Sequence, residues 1–320
     1  MTSKPVFTIS LDFELYWGVR DKRTAEEYKE NLLGVDKAIS KMLELFKIND
    51  IHATWATVGF LFFKDVADIK DNLPASQPQY INSNLSPYTD LEELKEVDRN
   101  LLFANKLISE ISTCGGQEIG THTYSHYYCL ENGQSAKEFE HDLQAAKNIA
   151  SRNKIELKSL VFPRNQWNED YLSILNKMGI KSYRGNESGW MYKASKGKGE
   201  NKFKRAFRLL DAYINVSGHN TYDLLECKTI EPFNFQSSRF LRSYSRKLSA
   251  LDWLKLARIK DSMTYAAKNN EVFHLWWHPH NFGVNTDKNM HLLTVIIKHF
   301  SYLQKKYGMV SMNMGEMGCE

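Results

Sequence analysis

The stretch FTISLDFELYWG, residues 7–18, is an apolar run that ends in two acids and then two aromatics. Side chains alternate along a strand, so Asp12 and Glu14 are expected on one side of its C-terminal end. Two like charges on one face repel, and burying them is costly unless something positive neutralises them. A buried strand that finishes on two carboxylates therefore asks for a cation, and for a fold that gathers strand ends into a site.

Working outward, the same strand-then-helix alternation continues. Residues 6–14 read as a strand, 24–50 as a helix, 52–62 as a strand and 91–112 as a helix. A strand at 117–126 turns into a loop, and a helix follows over 135–153 with Ser135 at its N-cap. A strand over 157–165, a helix over 168–180 and a short strand at 181–185 come next, then a strand over 271–280, a helix over 287–306 and a last strand near 308–314. Such alternation implies a parallel sheet covered by helices, and over this length a barrel. Residues 71–90, rich in Pro, Ser and Asn, and residues 185–250, mixing Gly, Lys, Ser and aromatics, break the rhythm. They read as insertions in loops at the mouth of a single catalytic domain spanning 1–320.

The chain has 320 residues, of which 42% are hydrophobic, enough for a sizeable core. Forty-two basic residues stand against 38 acidic ones, a net +4, which is too mild to argue for a nucleic-acid partner. The densest basic patch, residues 196–205, reads as a solvated loop. Cys114, Cys129, Cys227 and Cys319 are scattered and form no CxxC pair, so they read as reduced thiols. The first strand begins at once, without a signal-like apolar region, and no run approaches the roughly 18 apolar residues of a membrane span. These features set the expectation of a cytoplasmic protein with no transmembrane segment.

Three further motifs carry chemistry. In GTHTYSHYYC, His122 and His126 lie four apart, a spacing that lets two imidazoles converge on one ion. Two histidines and a carboxylate make a common open site for a catalytic divalent metal. Cys129 is an alternative ligand. The motif lacks the internal glutamate of the HExxH proteases, so a base must come from elsewhere, and Asp12 is the natural candidate. In FPRNQWN (162–168), Arg164 is placed to neutralise and orient Asp12, and Trp167 to wall a sugar ring. In FHLWWHPHNFG (273–283), alternation puts His274, Trp276 and His278 on one face. His278 stands at the strand tip, where a general acid reaches a leaving group. His280 lies past Pro279, in the loop, and His274 reads as a hydrogen-bonded core residue.

In this order the four elements resemble the polysaccharide deacetylase family, carbohydrate esterase family 4, also called the NodB homology domain. His122, Thr123 and His126 match its H-[ST]-x-x-H motif, HATWATVG resembles its second strand, Pro163, Arg164 and Trp167 its third motif, and LWWHPH its final one. The resemblance runs from about residue 6 to 315. It implies a distorted (β/α)7 barrel and metal-dependent removal of an acyl group. The acids here are D-x-E, whereas the family's first motif is an adjacent pair. The variant of the family with spaced acids implies Asp12 as base and Glu14 as metal ligand beside His122 and His126. Trp167, Trp276 and His280 fall to substrate binding. The implied metal is Zn2+ first, with Co2+, Ni2+ or Mn2+ also suited to the donors.

The expected substrate is an acylated, first of all N-acetylated, amino sugar. The cytoplasmic expectation favours a nucleotide- or lipid-linked intermediate of surface polysaccharide synthesis. The rivals are a deformylase or ring-amide amidohydrolase on the same scaffold, a glycosidase using the two acids, and an inactive carbohydrate-binding barrel. Carboxyls two residues apart come near the roughly 5 to 5.5 Å of retaining glycosidases, but the histidine pair argues for metal.

Overall fold

A computed structural model describes residues 4–193 and 202–319. Its strands are β1 (Val6–Phe13), β2 (Ala53–Thr57), β3 (Gln117–Thr121), β4 (Ser159–Val161), β5 (Ser182–Arg184), β6 (Phe233–Asn234), β7 (Arg239–Phe240), β8 (Val272–Trp277) and β9 (Val310–Ser311). Its helices are α1 (Ala25–Leu33), α2 (Val35–Ile48), α3 (Val66–Lys70), α4 (Asn105–Thr113), α5 (Ala136–Arg152), α6 (Leu172–Lys177), α7 (Lys202–Asp211), α8 (Leu224–Cys227), α9 (Asp252–Asn269), α10 (Thr286–Tyr307) and α11 (Met314–Cys319).

The sheet runs in the order β6-β5-β4-β3-β2-β1-β8-β7, with β9 added beside β1. Every strand pairing in it is parallel. This curled α/β sheet is the expected polysaccharide-deacetylase barrel. Its seam, between β6 and β7, is crossed by a short chain segment. There the Ser237 N–H donates to the Gly185 carbonyl at 2.9 Å, and the Ser238 N–H donates to the His274 carbonyl at 2.8 Å. Two adjacent residues thus tie the β5 edge to β8. Residues 185–250 are accordingly more than an insertion, since they supply β6, β7 and the seam. The two strands are only two residues each, too short to leave a period-2 signature.

The alternation in β1 divides its side chains between two environments. Phe7 packs on Phe300 of α10 with ring centroids 5.3 Å apart, and Phe13 meets Trp55, which meets Phe46 of α2. The other set, Thr8, Ser10 and Asp12, is as fully buried but points into the barrel, among Ser182, Arg184 and His274. The interior of this barrel is polar, and the hydrophobic core lies between sheet and helices. In α2, residues Val35, Ala38, Ile39, Met42, Leu43 and Phe46 form the buried stripe at 3.6-residue spacing.

The helix expected over 24–50 is two helices joined at Gly34. A Cβ there would sit 2.0 Å from the Gly283 carbonyl oxygen. The joint is pressed onto the turn that follows β8, so a residue without a side chain is required. Ser135 caps α5 as expected, in a reciprocal capping box with Glu138. The helix expected over 91–112 is α4 preceded by two 3-10 turns. The strands expected over 52–62, 117–126 and 157–165 are cut to three to five residues, because their C-terminal ends become site loops. Of the basic patch 196–205, residues 196–201 lie outside the described residues, and the rest begins α7.

Candidate active site

β1 ends at Phe13, and Glu14 turns out of the strand at φ −129°, ψ −16° to open a 3-10 turn over Leu15–Gly18. The turn folds back tightly: a Cβ on Gly18 would lie 2.0 Å from both Cδ and Oε1 of Glu14. Gly18 is thus the floor on which the Glu14 carboxylate rests. Gly18→Ala is expected to push that carboxylate out of place and to lower metal affinity by 10-fold or more, the usual scale for disturbing a ligand's support. Isothermal titration of the metal-stripped protein reads this directly.

His122 and His126 are presented by a tight loop after β3. Thr123 and His126 both hold positive φ, 64° and 60°. For a β-branched threonine this is a strained conformation, of the kind that clusters where geometry matters for function. The surroundings enforce it. The buried Asp142 carboxylate of α5 accepts from the N–H groups of Tyr124 and Ser125 and from the Ser125 hydroxyl. The Thr123 and Tyr124 carbonyls accept from the N–H groups of Gly59 and Phe60. The Thr123 hydroxyl accepts from the Tyr127 N–H at 2.7 Å.

The loop brings both imidazoles onto one oxygen. Glu14 Oε2 lies 3.0 Å from His126 Nε2 and 3.3 Å from His122 Nε2. One ligand atom from each of the three residues falls within 4.8 Å of the others, and all three side chains are buried. The tautomer of His122 follows from its other nitrogen, Nδ1, which is 2.8 Å from the Val161 carbonyl. A carbonyl only accepts, so Nδ1 carries the proton. His122 Nε2 is buried, without a hydrogen-bond partner, and aimed at a carboxylate oxygen. Burial also pushes His126 down to about 4 against the pull of Glu14, so its imidazole is neutral at physiological pH. Glu14 pays for burial, but His278, His122 and His126 outweigh that and hold its carboxyl well below the ordinary range. Two imidazole nitrogens and a carboxylate converging on one point fit a divalent cation, and a carbonyl accepting from the His122 Nδ1–H is what such a ligand normally has. Cys129 is outside this set. It is buried in the core with its thiol pushed well above the ordinary range, so it stays protonated.

Asp12 stands beside this cluster in a different environment. Arg184, at the end of β5, forms a two-pronged pair with it: Nη1 to Oδ1 at 2.7 Å and Nη2 to Oδ2 at 2.8 Å. The same guanidinium donates to Ser10 Oγ at 2.9 Å and to Asn165 Oδ1 at 2.9 Å. Ser10 is shared with His274 Nε2 at 2.8 Å. His274, pushed down to about 3 by burial and by Arg184, is the neutral core histidine expected. Burial raises the Asp12 carboxyl, but Arg184 outweighs it and leaves the group lowered and ionised.

The residue expected to orient Asp12 was Arg164, and here the structure differs. Arg164 pairs with Asp21, approaches Glu131 at 3.9 Å and lies over the Tyr128 ring at 4.1 Å. Tyr128 in turn meets His126 Nδ1 at 3.1 Å. Arg164 therefore braces the ring behind a histidine, two contacts away from the metal cluster. The strand after it delivers the arginine that Asp12 uses. Arg184 was legible as a charged residue at a strand end, two positions from Ser182, but position 164 drew the assignment because its motif was more distinctive.

His278 caps the turn after β8, with its side chain 23% exposed. Its Nε2 lies 3.7 Å from Asp12 Oδ2 and 3.6 Å from Glu14 Oε1, within reach of both acids yet bonded to neither. His280 does not sit free in a loop. It is buried, stacked on His278 with ring centroids 5.0 Å apart, edge-on to Tyr28, and pushed down to about 3 by burial. It is neutral, and its ring lies against that of His278. Trp276 is likewise in use: the Arg184 guanidinium lies over its ring at 4.2 Å, and Phe240 packs on it at 4.7 Å. Trp167 is half-buried against Tyr183 and the core.

These features place a two-histidine, one-carboxylate cluster beside a separately held aspartate at the strand ends of the barrel. Residues 33–183 match the family model described as polysaccharide deacetylase. Among solved structures, it is similar to a Mycobacterium smegmatis protein assigned as a polysaccharide deacetylase, at 10% identity and TM-score 0.57, covering 99% of this chain and 93% of that one. A GH57-type branching enzyme from Pyrococcus horikoshii aligns at 11% identity and TM-score 0.53, covering 100% and 70%. A CE4-family pseudoenzyme from Bacillus anthracis aligns at 13% identity and TM-score 0.45, covering 99% and 66%. The first two alignments show the fold and say nothing of substrate. No curated protein sequence matches the chain. The match to this family model supports hydrolytic deacylation of a carbohydrate. No helix among the described residues is long and apolar enough to cross a membrane.

Proposed function

We propose that the whole chain acts as one catalytic domain, a metal-dependent deacetylase that removes an acetyl group from an amino sugar. The observation that carries this reading is the convergence of Glu14, His122 and His126 within 4.8 Å, with His122 Nε2 buried and without a hydrogen-bond partner. A divalent ion held there, zinc first and cobalt, nickel or manganese next, would supply Lewis-acid polarisation of the acyl carbonyl and acidification of water.

This chain's residues do the rest. Asp12, ionised and fixed in orientation by both prongs of Arg184, accepts the proton of the attacking water. Neutral His126 keeps its lone pair for coordination, and His122, its Nδ1 proton held by the Val161 carbonyl, presents Nε2 beside it. His278, the most exposed of these groups, donates a proton to the departing amine. His280 and Asn281 hold its ring in place, the latter at 3.5 Å from Nδ1. A nucleotide- or lipid-linked N-acetyl sugar suits the expected cytoplasmic setting.

A screen for acetate release from N-acetylated nucleotide sugars, lipid-linked sugars and chitin oligomers tests the reading. It expects turnover on at least one of them and none in metal-stripped protein. A protein that carries metal and releases no acetate from any would be an inactive barrel. Release of formate from formylated sugars in place of acetate would move it to the deformylases.

His278 has its own signature. With His278→Ala, cleavage of an amide should fall on the order of 10²-fold, whereas an activated ester whose leaving group needs no proton should keep most of its rate. Equal loss on both substrates contradicts the role, and selective loss in His280→Ala would transfer it two residues along.

A further inference from the structure

Helix α7 is built inside out. An ordinary surface helix turns its apolar stripe to the core and its charges to water. Here Phe203, Ala206, Phe207 and Leu210, with Ile214 in the turn beyond, recur at helical spacing and face outward. Phe207 is 39% exposed, Leu210 44% and Ile214 55%. The face that docks on the protein is polar. Asp211 is fully buried, pairs with Arg239, accepts from the Tyr192 and Ser217 hydroxyls, and accepts from the N–H groups of Val216 and Ser217. A helix anchored by its charges has no folding reason to present phenylalanine and leucine to water. Trp190, 53% exposed and edge-on to Phe207 at 5.6 Å, widens the patch.

The rim of the patch is cationic. Lys202, Lys204, Arg205 and Arg208 lie on α7, and Lys193 lies just after the turn that carries Trp190. The one acid of the helix, Asp211, is committed to Arg239. The cations are crowded: the guanidinium of Arg242 is pushed down first by burial and then by Arg208 and Arg205, against the pull of nearby tyrosines. The patch also adjoins the catalytic rim, since Asn186 Nδ2 donates to the carbonyls of both Asn165 and Tyr192.

We propose that the α7 face, with Trp190 and Ile214, docks this protein onto the surface of an anionic lipid bilayer. The apolar stripe enters the headgroup boundary, and the flanking lysines and arginines meet lipid phosphates, with α7 lying in the plane of the surface. A second copy of the chain is the weaker occupant. Docking across a two-fold axis would set the same cations against one another. The proposal goes beyond the deacetylase reading and does not depend on it, because binding is measured without turnover.

The test is co-sedimentation of the full chain with vesicles of phosphatidylcholine alone and of phosphatidylcholine mixed with phosphatidylglycerol. Binding is expected to the mixed vesicles, weakly or not at all to the neutral ones, and should fall as salt rises. Phe207→Asp with Leu210→Asp should weaken it 10-fold or more, and Lys202→Glu with Arg205→Glu by a similar factor. These positions are exposed, and an unchanged circular dichroism spectrum verifies the fold of each variant. Absence of binding, equal binding to both vesicle types, or binding undiminished by the Phe207 and Leu210 changes would overturn the proposal. So would a concentration-dependent dimer, seen by analytical ultracentrifugation in the absence of vesicle binding and abolished by the same two changes.

Discussion

Asp12→Asn is expected to lower turnover on the order of 10²-fold or more while leaving the metal content unchanged. The two effects separate because the two acids of the D-x-E stretch face different partners. Asp12 spends both oxygens on Arg184 and belongs to no ligand set, whereas Glu14 meets the two histidines. Asparagine keeps the shape and one acceptor but cannot take a proton. Elemental analysis and acetate release on the same sample read both quantities. Loss of metal together with activity would mean that Asp12 is itself a ligand and that the roles of the two acids are misassigned.

Replacing Arg184 should have the largest effect on stability of any single change in the site. Both members of its pair with Asp12 are buried, with side-chain exposures of 0% and 5%. Arg184→Met removes one partner and leaves a carboxylate in the barrel without its counter-charge, a change that costs about 3–5 kcal/mol in comparable buried pairs. It also strands Ser10 and Asn165, which accept from the same guanidinium. The double variant Arg184→Met with Asp12→Asn should recover part of that loss, because no unpaired charge remains. Chemical denaturation of the four proteins in this cycle gives the coupling. Strict additivity of the two changes would show that the pair contributes nothing as a pair.

The reach of the sequence was set by local signal. β1 could be read in full because an eight-residue strand shows its alternation, and the H-[ST]-x-x-H pattern of His122 and His126 led to the cluster that the structure brings together. Ser135 was legible as a cap because capping needs only four consecutive residues. What escaped depends on distance in the chain. Arg184 meets Asp12 across 172 positions, and nothing local marks it over Arg164. Gly18 looks like an ordinary turn residue until the Glu14 carboxylate is seen lying against it. Asp142 is one charged residue among several in α5, and its hold on the Tyr124–Ser125 backbone shows only in three dimensions. β6 and β7 were hidden because two-residue strands carry no pattern. Residue type suggests a sugar platform at Trp167 and Trp276, whereas only packing shows that Arg184 and Phe240 lie against the Trp276 ring.

The central claim is that Glu14, His122 and His126 together hold one divalent metal. Elemental analysis of the purified wild-type protein beside His122→Ala and His126→Ala, each checked for intact fold by circular dichroism, tests it most directly. The account predicts one equivalent of metal per chain in the wild type and loss of most of it in both folded variants. Full occupancy in both, or no metal in the wild type even after incubation with zinc, would contradict it.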